Sequence, residues 1–92
     1  MSQKKTDATK LYESILKLES VEECEKFFDD LCTTVELSAM AQRIEVASLL
    51  LDNKIYLEIM EKTNASTATI SRVKRMLNQG TGCLAEVLER DK

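Results

Sequence analysis

The run Asn64-Ala65-Ser66-Thr67-Ala68-Thr69-Ile70-Ser71-Arg72-Val73-Lys74-Arg75-Met76-Leu77 decides how this chain is read. Ser66 predicts a helix start, because its side-chain oxygen can accept from an amide two or three residues on. Ile70, Val73 and Leu77 then recur at helical spacing, so the helix spans about Thr67 to Leu77 with one apolar stripe. Just upstream, about Ile55 to Lys62 reads as a second short helix, and Thr63-Asn64 as a turn. Asn64 stands where a tight turn needs a positive φ, a place that Gly fills most often and Asn next. Two short helices about such a turn have helix-turn-helix proportions. Ile59, Ala65, Ile70 and Val73 are where those two helices must pack.

The outer face of the second of these helices carries the functional signal. Ala68, Ser71, Arg72 and Arg75 fall at i, i+3, i+4 and i+7, away from the apolar stripe. The first turn, with Ser66, Thr67, Ala68 and Thr69, is small and hydroxylic. Small side chains let a helix end come close to base edges, while hydroxyls and free amides there can hold phosphate. Arg72 and Arg75 can reach guanine edges or phosphates, and Lys74 suits phosphate. Lys54 and Tyr56, at the start of the upstream helix, are candidates for contact with the DNA backbone. For Tyr56 the alternative is a half-buried packing residue with a wet hydroxyl. For the whole face the alternative is an ordinary amphipathic helix with solvated charge.

Charge separates these alternatives. The chain of 92 residues has 13 Lys+Arg against 16 Asp+Glu, a formal charge of −3, which argues against nucleic acid when taken as an average. Between Thr63 and Gly82, however, there are three basic residues and no acidic one. Between Glu13 and Cys32 there are seven acidic residues and two lysines. The chain is polarised into acidic N-terminal helices and a basic helix-turn-helix.

Working back towards the N-terminus, the period stays helical. The third helix, roughly Val35 to Leu51, is opened by Thr33 followed by Glu36 in capping-box spacing. Leu37, Met40, Ala41, Ile44, Ala47, Leu50 and Leu51 make one face, with Val46 and Leu49 off it. A helix apolar on most sides is a buried one. A short chain has little with which to bury it, so a second copy of the chain is expected to do so. The alternative is burial under the chain's own neighbouring helices. Asp52 and Asn53 close this helix, with Asn53 in the left-handed region. Ser20 and Glu23 form another capping box, opening a helix with Val21, Cys24, Phe27, Phe28 and Leu31 on one stripe. Ala8, Leu11, Ile15 and Leu18 mark a first helix, and Ser2 to Asp7 is expected to fray. Beyond the loop Asn78 to Gly82, a last short helix carries Cys83, Leu84, Val87 and Leu88.

Composition excludes other classes. With no His, a nucleophile–base pair and the commonest zinc ligand are both missing, so no catalytic residue, metal or cofactor is expected. With 2 Gly there is no glycine-rich phosphate loop. No apolar run approaches the ~20 residues that cross a membrane. The polar Met1 to Lys10 does not read as a signal peptide. Cys24 and Cys32 would stand roughly 12 Å apart on one helix, beyond disulfide reach. Three cysteines without paired spacing therefore read as free thiols in a reducing cytoplasm, each packed at an apolar helical position.

The segment from Asn64 to Asn78 resembles the recognition segment of the YerC/YecD branch of the Trp repressor superfamily, which typically reads T-G-A-S-T-A-T-I-S-R-V-N-R-x-L-N-Y-G. Upstream, Glu36-Leu37-Ser38-Ala39-Met40-Ala41-Gln42-Arg43-Ile44-Glu45-Val46-Ala47 is similar to the family's central helix with its A-Q-R core. The resemblance covers roughly Leu31 to Gly82 and is far more specific than a generic helix-turn-helix match. It implies an all-α, Trp repressor-like domain of about six helices and an intertwined homodimer. The chain 1–92 would then be a single domain. Its dimerisation helices would span about 8–51, its helix-turn-helix about 55–77 and its last helix about 82–90. The two reading heads of such a dimer enter successive major grooves, ~34 Å apart. Asn64 replaces the branch's usual turn Gly, and Lys74 replaces the Asn after S-R-V, adding one positive charge.

In Trp repressor itself the corepressor lies between the central and recognition helices, held by an Arg on each. Thr33, Arg43 and Arg72 match the cap and the two arginines, and are the candidate ligand residues that the resemblance implies. The Gly beside the second Arg is Val73 here, and a small Ser three residues later is Met76. Both larger side chains would fill the space a ring needs, so tryptophan is not expected to bind. The expected function is a dimeric, sequence-specific DNA-binding regulator, most simply a repressor, with double-stranded DNA and a second copy of itself as partners. The competing reading is a Trp repressor-like protein-interaction module without DNA binding, using its acidic N-terminal helices.

Overall fold

The computed structural model describes residues 7–90. Apart from Asp7, the stretch expected to fray, Ser2 to Asp7, lies outside these residues. Six helices and no strand are found among them: α1 (Thr9–Ile15), α2 (Val21–Leu31), α3 (Thr34–Leu51), α4 (Tyr56–Thr63), α5 (Thr67–Gln79) and α6 (Cys83–Leu88). The chain divides into two compact units between Thr34 and Val35.

The first unit holds α1 and α2. Asp7 Oδ1 accepts from the Thr9 amide at 3.0 Å where α1 begins. At α2 the capping box forms with a shift of one residue. The Glu23 amide donates to Ser20 Oγ at 3.0 Å, while the Glu23 carboxylate accepts from the Glu19 amide at 2.8 Å rather than from that of Ser20. Phe27 and Phe28 meet edge to face with their centroids 5.2 Å apart, and both are half-buried. Neither helix of this unit has a buried residue. Cys24, on the apolar stripe of α2, is a half-buried free thiol, and so is Cys32, which lies in extended backbone just past the end of the helix rather than on it.

The second unit is built on α3, α4, α5 and α6. Its core is Val46, Ala47 and Leu49 from α3, Ile59 from α4, Ala65 from the turn, and Ile70 and Val73 from α5. Leu50, Tyr56, Met60, Leu77, Leu84 and Leu88 pack around it. Each fully buried Val or Ile contributes about 1.5–3 kcal/mol through the apolar surface it removes from water.

α3 is apolar on more than one side, as its composition suggests. The residues by which α3 holds its own chain are Val46, Ala47 and Leu49, two of which had been placed off the apolar face. The expected face is largely open: Met40, Ala41 and Ile44 are exposed, and Leu37 and Leu51 are half-buried. The reason is that α3 has two apolar faces. Ile44 and Val46 lie two residues apart, about 200° round the helix. Val46 and Leu49 point into the unit, and Leu37, Met40, Ile44 and Leu51 lie on the other side.

Asn53 and Asn64 take φ of 62° and 60°, the left-handed region expected of both. Asn53 ends α3 and Asn64 ends α4. α5 runs two residues beyond Leu77, because nothing before Gly80 breaks it; the Gly80 amide then closes on the Met76 carbonyl at 3.1 Å. Gly82 has φ 90° and starts α6. Cys83 follows it exposed, contrary to the core packing expected of every cysteine: its position on the stripe is the first of the helix, before the helix meets the core.

Candidate nucleic-acid interface

The site begins at the turn between α4 and α5. The Thr63 hydroxyl donates to the Ile59 carbonyl at 2.8 Å and accepts from the Ala65 amide at 3.1 Å. The Asn64 amide donates to the Met60 carbonyl at 2.9 Å. Ala65 is buried between the helices, where a larger side chain would force them apart. From α3, Gln42 Nε2 donates to the Thr63 carbonyl at 3.1 Å. A carbonyl in the last turn of a helix has no partner within its helix, and this one is satisfied by a side chain 21 residues away.

The turn delivers α5 with Ile70 and Val73 buried and its other side in solvent. Ala68, Ser71, Arg72, Lys74 and Arg75 are all exposed, as the spacing predicts, and so are Ser66 and Thr67. Thr69 is half-buried. Ser66 Oγ accepts from the Thr69 amide and donates to Thr69 Oγ1, both at 3.2 Å. These two hydroxyls therefore serve first as the helix cap. Thr67 and Ser71 are the hydroxyls this face presents outward.

Lys74 stands on one flank of the face, in the wall of a cavity of about 580 Å³ that also includes Lys54 and Tyr56. The structure thus brings together two cations 20 positions apart in the chain, with a phenol beside them. The Tyr56 hydroxyl lies 3.5 Å from Ser71 Oγ, joining the start of α4 to the outer face of α5. The Tyr56 ring is half-buried against the core, as the packing alternative expects, while its hydroxyl lies by the outer face of α5.

On the other flank, Arg72, Arg75 and Met76 line a cavity of about 490 Å³ floored by Leu77, Leu84 and Ala85. Val73 takes no part in it. Its side chain is buried in the core with residues of α3, while Met76 lies on the α6 side of α5. Arg43 is exposed; its Nε donates to the Ala39 carbonyl of its own helix at 3.4 Å, and it lines neither cavity. Thr33 belongs to the first unit.

Sequence reasoning missed Gln42. Its signal was present: it lies four residues before Val46 and seven before Leu49, on the stripe that carries the head. Among the described residues no group of His, Cys, Asp and Glu could hold a metal, and no helix is long and apolar enough to cross a membrane.

Comparison with known proteins agrees with this architecture. The family model described as Trp repressor protein matches residues 6–92. The uncharacterized protein YerC of Bacillus subtilis (strain 168) is 52% identical over 82 residues, covering 89% of this chain and 79% of YerC. The crystal structure of a TrpR like protein from Eubacterium eligens ATCC 27750 superposes with a TM-score of 0.86 at 48% identity, covering 89% of this chain and 84% of that one. A solved structure from Staphylococcus aureus gives a TM-score of 0.85 at 45% identity, covering 89% and 82%.

Proposed function

Because this chain belongs to the Trp repressor protein family, as a YerC-type member, we propose that it is a cytoplasmic, sequence-specific DNA-binding regulator of transcription. It acts as a homodimer and without catalysis. One observation carries the reading. An outer face of α5 made of Ala68, Ser71, Arg72 and Arg75 is exposed, on a helix whose other face is locked into the core. Nothing in that chain's own packing requires two arginines there.

The division of labour follows from position. Ala68 leaves room for a base edge, and Arg72 and Arg75 carry the forked donors that match guanine. Thr67, Ser71, Lys54, Tyr56 and Lys74 surround them as phosphate contacts, which fix register but carry no sequence information. A single head offers little charge, so affinity depends on two heads. The exposed Met40 and Ile44 on the outer side of α3, with half-buried Leu37 beside them, support the pairing of two copies.

Selection of bound duplex from a random pool, with the purified wild-type chain, tests this. A two-fold symmetric consensus is the expected product. Failure to enrich any duplex at low salt would favour the interaction module instead. Tryptophan is not the effector on this reading, because Val73 and Met76 are larger than the Gly and Ser that leave room for the ring in Trp repressor itself. Isothermal titration with L-tryptophan is expected to be flat, and a saturable isotherm would overturn that part.

A further inference from the structure

Gln42 has no place in the outer face, yet its side chain bonds a carbonyl 21 residues further along the chain. We propose that Gln42 is a positioning residue: its amide latches the α4–α5 turn to α3 and thereby fixes the angle of the reading head on the helix that pairs the two copies. This rests on the dimeric DNA-binding reading above.

The argument starts from what α3 can hold without it. Val46 and Leu49 grip the head through apolar contact, which is non-directional and permits rocking about the contact. A hydrogen bond one turn further along the same stripe adds a second, directional point. Two points separated along a helix define an angle where one does not. Its acceptor is well chosen. Thr63 is the last residue of α4, and its hydroxyl already ties the Ile59 carbonyl to the Ala65 amide, which begins the approach to α5. A pull on the Thr63 carbonyl is therefore felt at both helices of the head. On its opposite side, α3 presents Leu37, Met40, Ile44 and Leu51. The angle set by Gln42 is thus passed directly into the separation of the two heads. Gln42 is half-buried, so water does not readily replace the bond.

Two full-length variants test this. Q42M keeps the shape and removes the donor. Q42E keeps the shape and, at neutral pH, replaces the donor with a charge that repels the carbonyl. The first measurement uses no DNA: amide hydrogen exchange at Asn64 and Ala65 is expected to speed up about three- to tenfold in Q42M, the equivalent of one hydrogen bond, and further in Q42E. The second uses the duplex selected by the wild-type chain, together with versions carrying one base pair more or fewer between the half-sites. Wild type is expected to discriminate against both altered spacings, and Q42M to lose about three- to tenfold of that discrimination. Its affinity for a random duplex and its salt slope should stay unchanged, a pattern that mere loss of stability would not produce. Wild-type exchange rates in Q42M and Q42E, with spacing still discriminated, would overturn the inference while leaving DNA recognition intact. If wild type enriches no duplex, the proposed function fails and the spacing role with it, whereas the exchange result still shows whether Gln42 holds the turn.

Discussion

At Asn64 the backbone adopts φ 60°, ψ 17°, a conformation in which a Cβ crowds the following carbonyl. Replacing Asn64 with Ala is expected to cost about 1 kcal/mol in urea denaturation, and replacing it with Gly close to nothing. Gly80 is constrained differently, by space. A Cβ there would meet the Met76 carbonyl at 2.6 Å, so the end of α5 must shift to admit one. The exposed residues of α5 are predicted to divide by chemistry. Arg72→Ala and Arg75→Ala should each weaken binding to the selected duplex by ~1–3 kcal/mol and relax specificity at one base position. Lys74→Ala should weaken selected and random duplex alike and lower the salt slope by about 0.9. Competition titrations at several salt concentrations separate the two behaviours.

Among the elements, α5 is the most legible in sequence and α3 the least. In α5 the cap at Ser66, the stripe Ile70–Val73–Leu77 and the polar face opposite all follow from one period of 3.6 residues, and each is observed. α3 has apolar residues on two sides, so a single periodic template finds one face and leaves Val46 and Leu49 over. Only the tertiary partners Ile59, Ile70 and Val73 decide which side faces inward, and those partners come from elsewhere in the chain. Gln42 escaped for the same reason: a polar residue on an apolar stripe reads as solvent-facing until its acceptor, 21 residues on, is known. The head's packing is expected to be unforgiving. Ile70→Ala, at a fully buried position, should lose about 2–5 kcal/mol through lost burial and the cavity left behind. Urea unfolding followed by circular dichroism measures it.

On the scale of the molecule, the two units depend unequally on their own packing. The second has a continuous core, while α1 and α2 have no buried residue. Helices of 7 and 11 residues are marginal in water by themselves. In the proposed dimer their order comes from the partner, so helicity is predicted to fall on dilution and Tm to rise with protein concentration. Ile44→Glu places a charge on the open face of α3, where Ile44 is 44% exposed in the single chain. It is expected to halve the mass seen in sedimentation while leaving the Ile59–Ile70 core folded. A monomer in the wild type would remove the pairing and the two-headed mode together.

In the proposed dimer, the two faces of α3 separate whom the protein joins from what it reads. Changes along Leu37, Met40 and Ile44 would alter the choice of companion without touching the face of α5. A lineage of such chains could therefore form mixed pairs, each member bringing its own half-site, and widen its repertoire of binding sequences by recombination of intact halves.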